Sequence, residues 1–404
     1  MIAKLIIGIN AHGRPIIVGL VGLVMLAGCN SSTAQTSSVN PITSPGTFKD
    51  DFDAKLAAHG DGLWLAKSGL DQDDNVRLQV LKYQDETWVA LPGLPKSTTD
   101  TGLVLAARSR SGNGAEPCVG DTAPNGNNRV RCFGQKGWQP TRIPASYRDL
   151  WLNGLERRGR KLIALFRKDG RKGTKTWTVI HLAKLQGNRF VRFGSPLRIN
   201  TQLVAGLGQV TVGTKLDGIE VGITTTTSPS RRWVATIKGG SWSRSSEVPD
   251  LVGGDLYSAP VRANSATYFP VNESQYGVDR NWEQSLFRIG GRGDWSQVGG
   301  APVNEGFGKA QGGADAVGKR VWVTWGELNT DDAGWGGYFP TTEYAARVDE
   351  TGTGFDQRIQ LWRGKTVFPG PQQAIAYQGD PVFLYMRQFS RKGGMHATVD
   401  FSHR

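Results

Sequence analysis

The chain has 404 residues, with Lys+Arg 48 against Asp+Glu 35 and a formal net charge of +13. A positive balance of this size favours contact with anionic surfaces such as phospholipid heads, polyanionic glycans or nucleic acid, and names no partner by itself. With 54 Gly and 19 Pro, turns dominate and helix signals are nearly absent, which excludes a helical bundle.

The N-terminal segment carries only Lys4 and Arg14 as charged residues before Cys29, followed by an apolar stretch over 15–28. A basic start, a short apolar run and small residues at its end are the plan of a secretory signal. The run falls short of the ~20 apolar residues that span a bilayer. Its last residues, Leu26-Ala27-Gly28-Cys29, resemble the bacterial lipobox. That resemblance implies cleavage after Gly28 and a diacylglycerol thioether on Cys29. It implies a palmitate-type membrane lipid anchor and an extracytoplasmic location at the cell membrane or outer membrane. Residues 1–28 are then a signal peptide. Residues 29–46, dominated by Ser, Thr and Pro, read as a flexible tether. The folded domain is expected over 47–404.

That domain is built of repeats. An aromatic residue opens a short segment that ends in proline: Trp88 to Pro95, Trp138 to Pro144, Phe190 to Pro196, Trp242 to Pro249 and Trp295 to Pro302. The aromatics recur roughly every 50 residues, and Phe355 follows without the proline. An alternating strand precedes each one, over 76–83, 129–133, 177–182, 232–237, 285–289 and 343–348. Two further strands around a Gly/Asp turn lie upstream, as in 208–212 with 219–223 and 374–377 with 382–386. Four short antiparallel strands per repeat mark an all-β fold, a β-propeller of about seven four-stranded blades. The last unit stops after three strands. Its outer strand is expected from the N-terminal segment 47–52, pairing with 397–401 to close the ring and cover a raw edge. The signature dipeptides of kelch and WD repeats are missing, as is a Ser-x-Asp-x-Gly-x-x-Trp box.

Cys118 and Cys132 remain once Cys29 is lipidated. An even pair in an oxidising compartment predicts a disulfide, with two free thiols as the alternative.

Chemistry is sparser. His59, His181, His396 and His403 stand at no metal-ligand spacing, so neither a metal nor another cofactor is expected. The run 71–75 has the acids of a calcium loop without its central Gly or distal Glu. The basic runs 157–161 and 167–172 read as solvated turns or as an anionic contact patch. Two loops stand out: 272–282, with Glu273, Tyr276 and Trp282, and 329–343, with Asp331, Asp332, Trp335 and Tyr338. Aromatic and acidic side chains on loops of a rigid scaffold suit carbohydrate or peptide binding. Packing over a blade edge is the alternative. The reading is a binding or scaffolding module for an envelope protein or anionic glycan, with no specific nucleic acid. The competing class is a propeller hydrolase or lyase acting on a glycan or lactone. Titratable side chains gathered at the central channel would favour the enzyme.

Overall fold

The computed structural model describes residues 42–43, 48–94, 102–109, 114–122, 126–158, 160–200, 211–212, 218–224, 231–248, 260–274, 282–290, 294–300, 313–328, 339–366, 372–388 and 394–401. Cys29 and its surroundings lie outside them.

These residues form antiparallel sheets, taken here in chain order. The first holds Asp50–His59, Gly62–Leu70, Val76–Gln84 and Thr87–Ala90, and the second Val104–Ser109, Ala115–Thr122, Asn128–Gly134 and Gly137–Pro140. The third holds Trp151–Arg158, Lys161–Lys172, Lys175–Gln186 and Arg189–Arg192, with Leu197–Ile199 also on Lys175–Gln186. The fourth holds Thr211–Val212, Gly218–Thr224, Arg232–Lys238 and Ser241–Arg244, and the fifth Val261–Ala263, Ala266–Ser274, Trp282–Ile289 and Trp295–Gln297. The sixth holds Gly313–Val317, Arg320–Leu328, Phe339–Val348 and Phe355–Thr366. A last three-strand run, Gln372–Tyr377, Asp380–Gln388 and Met395–Asp400, takes Ile42–Thr43 on its outer edge.

Each sheet is a meander, so its first strand lies innermost. The inner strands neighbour one another in chain order, and Gln372–Tyr377 of the last sheet touches Asp50–His59 of the first. The sheets therefore surround an axis, as in a β-propeller. Tight turns need backbone conformations that few residues favour. Asp85 and Glu86, and again Asn264 and Ser265, take positive φ at both positions, the geometry of a two-residue hairpin turn.

The repeating aromatics open the outermost strands and work as a seam between sheets. Trp242 Nε1 donates to Ser195 O at 2.7 Å, and Trp295 Nε1 donates to Ser246 O at 3.0 Å. Each acceptor follows the outer strand of the preceding sheet. Phe190 N donates to Arg142 O at 2.9 Å in the same relation. Trp88 packs on Tyr83 with ring centroids 5.2 Å apart, and Tyr83 stacks on Phe401 of the last sheet at 4.6 Å. For Phe190, Trp242 and Trp295 the roughly 50-residue spacing is thus the spacing of a contact with the preceding sheet.

The expected closing segment is corrected. Within the expected segment 47–52, the described residues 48–52 do not form the outer edge of the last sheet: Asp50 begins the innermost strand of the first. The residues on that edge are Ile42 opposite Val399 and Thr43 opposite Thr398. Asp50 and Asp51 reach the last sheet by their side chains, accepting hydrogen bonds from the backbone N–H of Met395 and Ala397. Gly394 lets the chains approach, since a Cβ there would lie 2.1 Å from Lys49 O. Gln373 adds a second clasp, with Leu56 N donating to its Oε1 at 2.8 Å and its Nε2 donating to Leu56 O at 3.0 Å.

Cys118 and Cys132 are joined in a disulfide between directly opposed strand positions.

Candidate functional site

The inner strands leave an axial cavity of about 280 Å³. Its wall has two unlike halves. The last sheet and the first two present alkyl side chains, with Ile375, Leu56 and Leu105 set among alanines. The third, fifth and sixth sheets present Glu156, Arg157, Arg262 and Asp315. Small residues suit a line where many strands converge; charged residues there must find partners or line solvent.

Their electrostatics are unusual. Burial pushes the Glu156 carboxyl up to about 8, the neighbouring Asp315 charge adds to the rise, and Arg157 opposes it. Burial pushes Asp315 up to about 7, against the Ala374 N–H, which donates to its Oδ2 at 2.9 Å, and against Lys55. Lys55 itself is ion-paired with Asp53 at 3.0 Å. Burial lowers Arg157, while Glu156 works the other way. At neutral pH Glu156 is mostly protonated and Asp315 about half so. Among the described residues of the wall, the two carboxyls then carry less than one full negative charge between them.

One step beyond Ala58 and just past Ala107, His59 Nε2 lies 2.7 Å from Ser109 Oγ. Burial and, after it, the Arg157 charge lower the His59 pKa. Trp151 opens the strand that carries Glu156 and Arg157. It is 64% exposed, with Arg167 5.4 Å from its ring.

Of the expected loop residues, only Glu273 and Trp282 are among the described ones. Tyr276, Asp331, Asp332, Trp335 and Tyr338 lie outside the described residues. Glu273 and Trp282 are strand positions of the fifth sheet, where Glu273 faces Glu283 and Ser274 faces Trp282 across the hairpin. In the sixth sheet, Trp325 stacks on Tyr344 at 5.4 Å, and Arg358 lies 4.6 Å from the Tyr344 ring while ion-paired to Glu327 at 3.2 Å. The acidic run 71–75 is a tight turn, with Asp74 ion-paired to Lys49 at 2.7 Å. Asp71 accepts from Asp73 N, Asn75 N and Arg77 Nε, which hold its carboxyl down at about 2. Among the described residues, no three His, Cys, Asp or Glu side chains are grouped to hold a metal ion.

Sequence reasoning passed over Glu156, Arg262 and Asp315, and read Arg157 only within the basic run 157–161, as a solvated turn or an anionic contact patch. Aligning the inner strands would have exposed them, because Glu156, Arg262 and Asp315 stand where other sheets carry Leu or Ala.

No family model matches the chain, and no curated protein matches it in sequence. Among solved structures it is similar to an ulvan lyase of polysaccharide lyase family PL25, with TM-score 0.54 and 10% identity, over 90% of this chain and 94% of that one. This likeness supports the propeller fold and nothing finer. A Trypanosoma rangeli sialidase superposes at TM-score 0.44 with 11% identity, covering 91% of this chain and 58% of that one. A six-bladed fungal lectin does so at 0.42 with 12% identity, over 76% and 94%. Neither of these two is close enough to support an argument.

Proposed function

We propose that the protein is a lipid-anchored propeller of the bacterial cell envelope that binds an anionic sugar unit of a glycan in its axial channel. The observation that carries this reading is the convergence of Glu156, Arg157, Arg262 and Asp315 on one half of the channel wall. The cavity suits about one sugar ring: its alkyl half fits a ring's apolar face, and its guanidinium half fits a carboxylate. From Cys29 onward, without Lys4 and Arg14, 46 Lys+Arg remain of 48 against 35 Asp+Glu, and this balance works in the same direction for a polyanionic chain. Exposed Trp151 offers a further stacking surface roughly 15 Å along the strand from Glu156. A count of seven blades is supported by the last three-strand run and its inner strand's contact with both neighbours, with Ile42–Thr43 as the closing piece.

The binding test uses calorimetry with glucuronate and methyl glucoside at pH 6. Glucuronate should bind and the uncharged sugar should not. Arg262→Ala should weaken the uronate at least tenfold, the loss of one charge-assisted contact. Equal binding of both sugars would overturn the reading.

A second reading, glycan cleavage by hydrolysis or elimination, is favoured by the same gathering of titratable side chains at the channel and by one property of Glu156. Glu156 keeps its proton near neutral pH, as a general acid must. Product release from a polyuronide, abolished by Glu156→Gln, would establish it.

The anchor has its own test. In the producing cell, Cys29→Ala should leave an unprocessed precursor or move the protein out of the detergent phase, because the thiol is the lipid acceptor. Unchanged partition would remove the anchor from the account.

A further inference from the structure

We propose that the axial channel takes up a carboxylate ligand together with protons, held on Glu156 and Asp315, and releases it as those two groups ionise. This deepens the anionic-sugar reading and rests on it.

A bound carboxylate has only acceptor oxygens, and every one of them needs a donor. The half of the wall built from Ile375, Leu56, Leu105 and alanines has no side-chain donor to give. Among the described lining residues, the side-chain donors lie in the other half. Arg157 and Arg262 donate at any pH. Glu156 and Asp315 donate only while protonated; ionised, they are acceptors and repel a third carboxylate. Asp315 Oδ2 is already occupied by the Ala374 N–H, which leaves Oδ1 as the oxygen to carry the proton.

The remaining charged groups around the site do not change this. Lys55, from the first sheet, is paired with Asp53 at 3.0 Å. Burial and Arg157 lower the His59 pKa, and its ring is hydrogen-bonded to Ser109. The lining residues of the second and last sheets, 105–107 and 374–376, do not titrate.

With Asp315 near 7 and Glu156 near 8, the doubly protonated fraction falls on the order of 20-fold between pH 6 and pH 8. Glucuronate affinity should fall by the same factor.

The experiment is calorimetry of glucuronate with the full folded chain at pH 6 and 8, run at pH 7 in phosphate and in Tris. Proton uptake makes the apparent heat depend on the buffer. The double variant Glu156→Gln, Asp315→Asn keeps donors at both positions without titrating. We expect a roughly 20-fold loss of affinity for the native protein, a buffer-dependent heat, and a flat profile for the variant. Should the variant fail to fold, the buffer pair on the native protein decides alone. Binding of equal strength at pH 6 and 8, with no buffer dependence, overturns the proton coupling and leaves the sugar site standing. No glucuronate binding at either pH overturns both.

Discussion

Replacing Asp51 with alanine should lower the unfolding free energy by about 3–5 kcal/mol, the loss typical when one partner of a buried ion pair is removed. The Asp51 side chain is 0% exposed and that of Lys67 is 1% exposed, with Nζ 3.2 Å from Oδ1. The Lys67 ammonium also lies 5.0 Å from the centre of the buried Phe48 ring. Removing the carboxylate leaves a cation with no way to water. It also takes the acceptor from Ala397 N–H, which donates to Asp51 Oδ2 at 3.0 Å. That bond runs from the first sheet to the last, so the damage falls where the ring closes. Asp51→Leu combined with Lys67→Met should recover much of the loss, because the pair is then replaced by apolar volume. Urea unfolding of the three proteins measures this. A loss under about 1 kcal/mol for Asp51→Ala would show that the ammonium reaches solvent after all.

Removing the Cys118–Cys132 disulfide should be nearly as damaging. The two residues are 14 apart in sequence, oppose one another across adjacent strands, and are both buried. For a loop of this length, the chain-entropy account assigns about 3 kcal/mol. The double substitution to alanine also removes packing volume from the cluster around Leu152, Phe166 and Phe190. The unreduced, denatured protein should take no thiol label at these positions. Stoichiometric labelling would rule the bridge out, and an unfolding free energy unchanged by the double substitution would rule out its stabilising role.

The repeat was legible because its signal is local and recurs. Trp88, Trp138, Phe190, Trp242 and Trp295 each sit in an outermost strand, as their spacing predicts. The alternating strands before them are the third strands of their sheets, which face packing on one side. The N-terminus of the domain was misread for a physical reason. Asp50, Asp51 and Asp53 interrupt the apolar pattern of an inner strand, so 47–52 looked detached from the first sheet. What allows those acids in a strand is distant: Lys67, Met395 and Ala397. The channel site was hidden in the same way. Neither Glu156 nor Asp315 has a local motif, and they are 159 positions apart. Only the ring places both on one wall. Loops with mixed aromatics and acids, by contrast, are conspicuous in any sequence, which drew attention to 272–282 and 329–343.

Those two locations can be separated directly. A crystal of the folded domain soaked in an oligouronide, at pH 6, shows where the sugar sits. The account predicts one sugar unit inside the axial channel, its carboxylate against Arg157 or Arg262 and its ring against the alkyl wall of Leu56, Leu105 and Ile375. Sugar found only on the loops 272–282 or 329–343, with the channel empty, would contradict it.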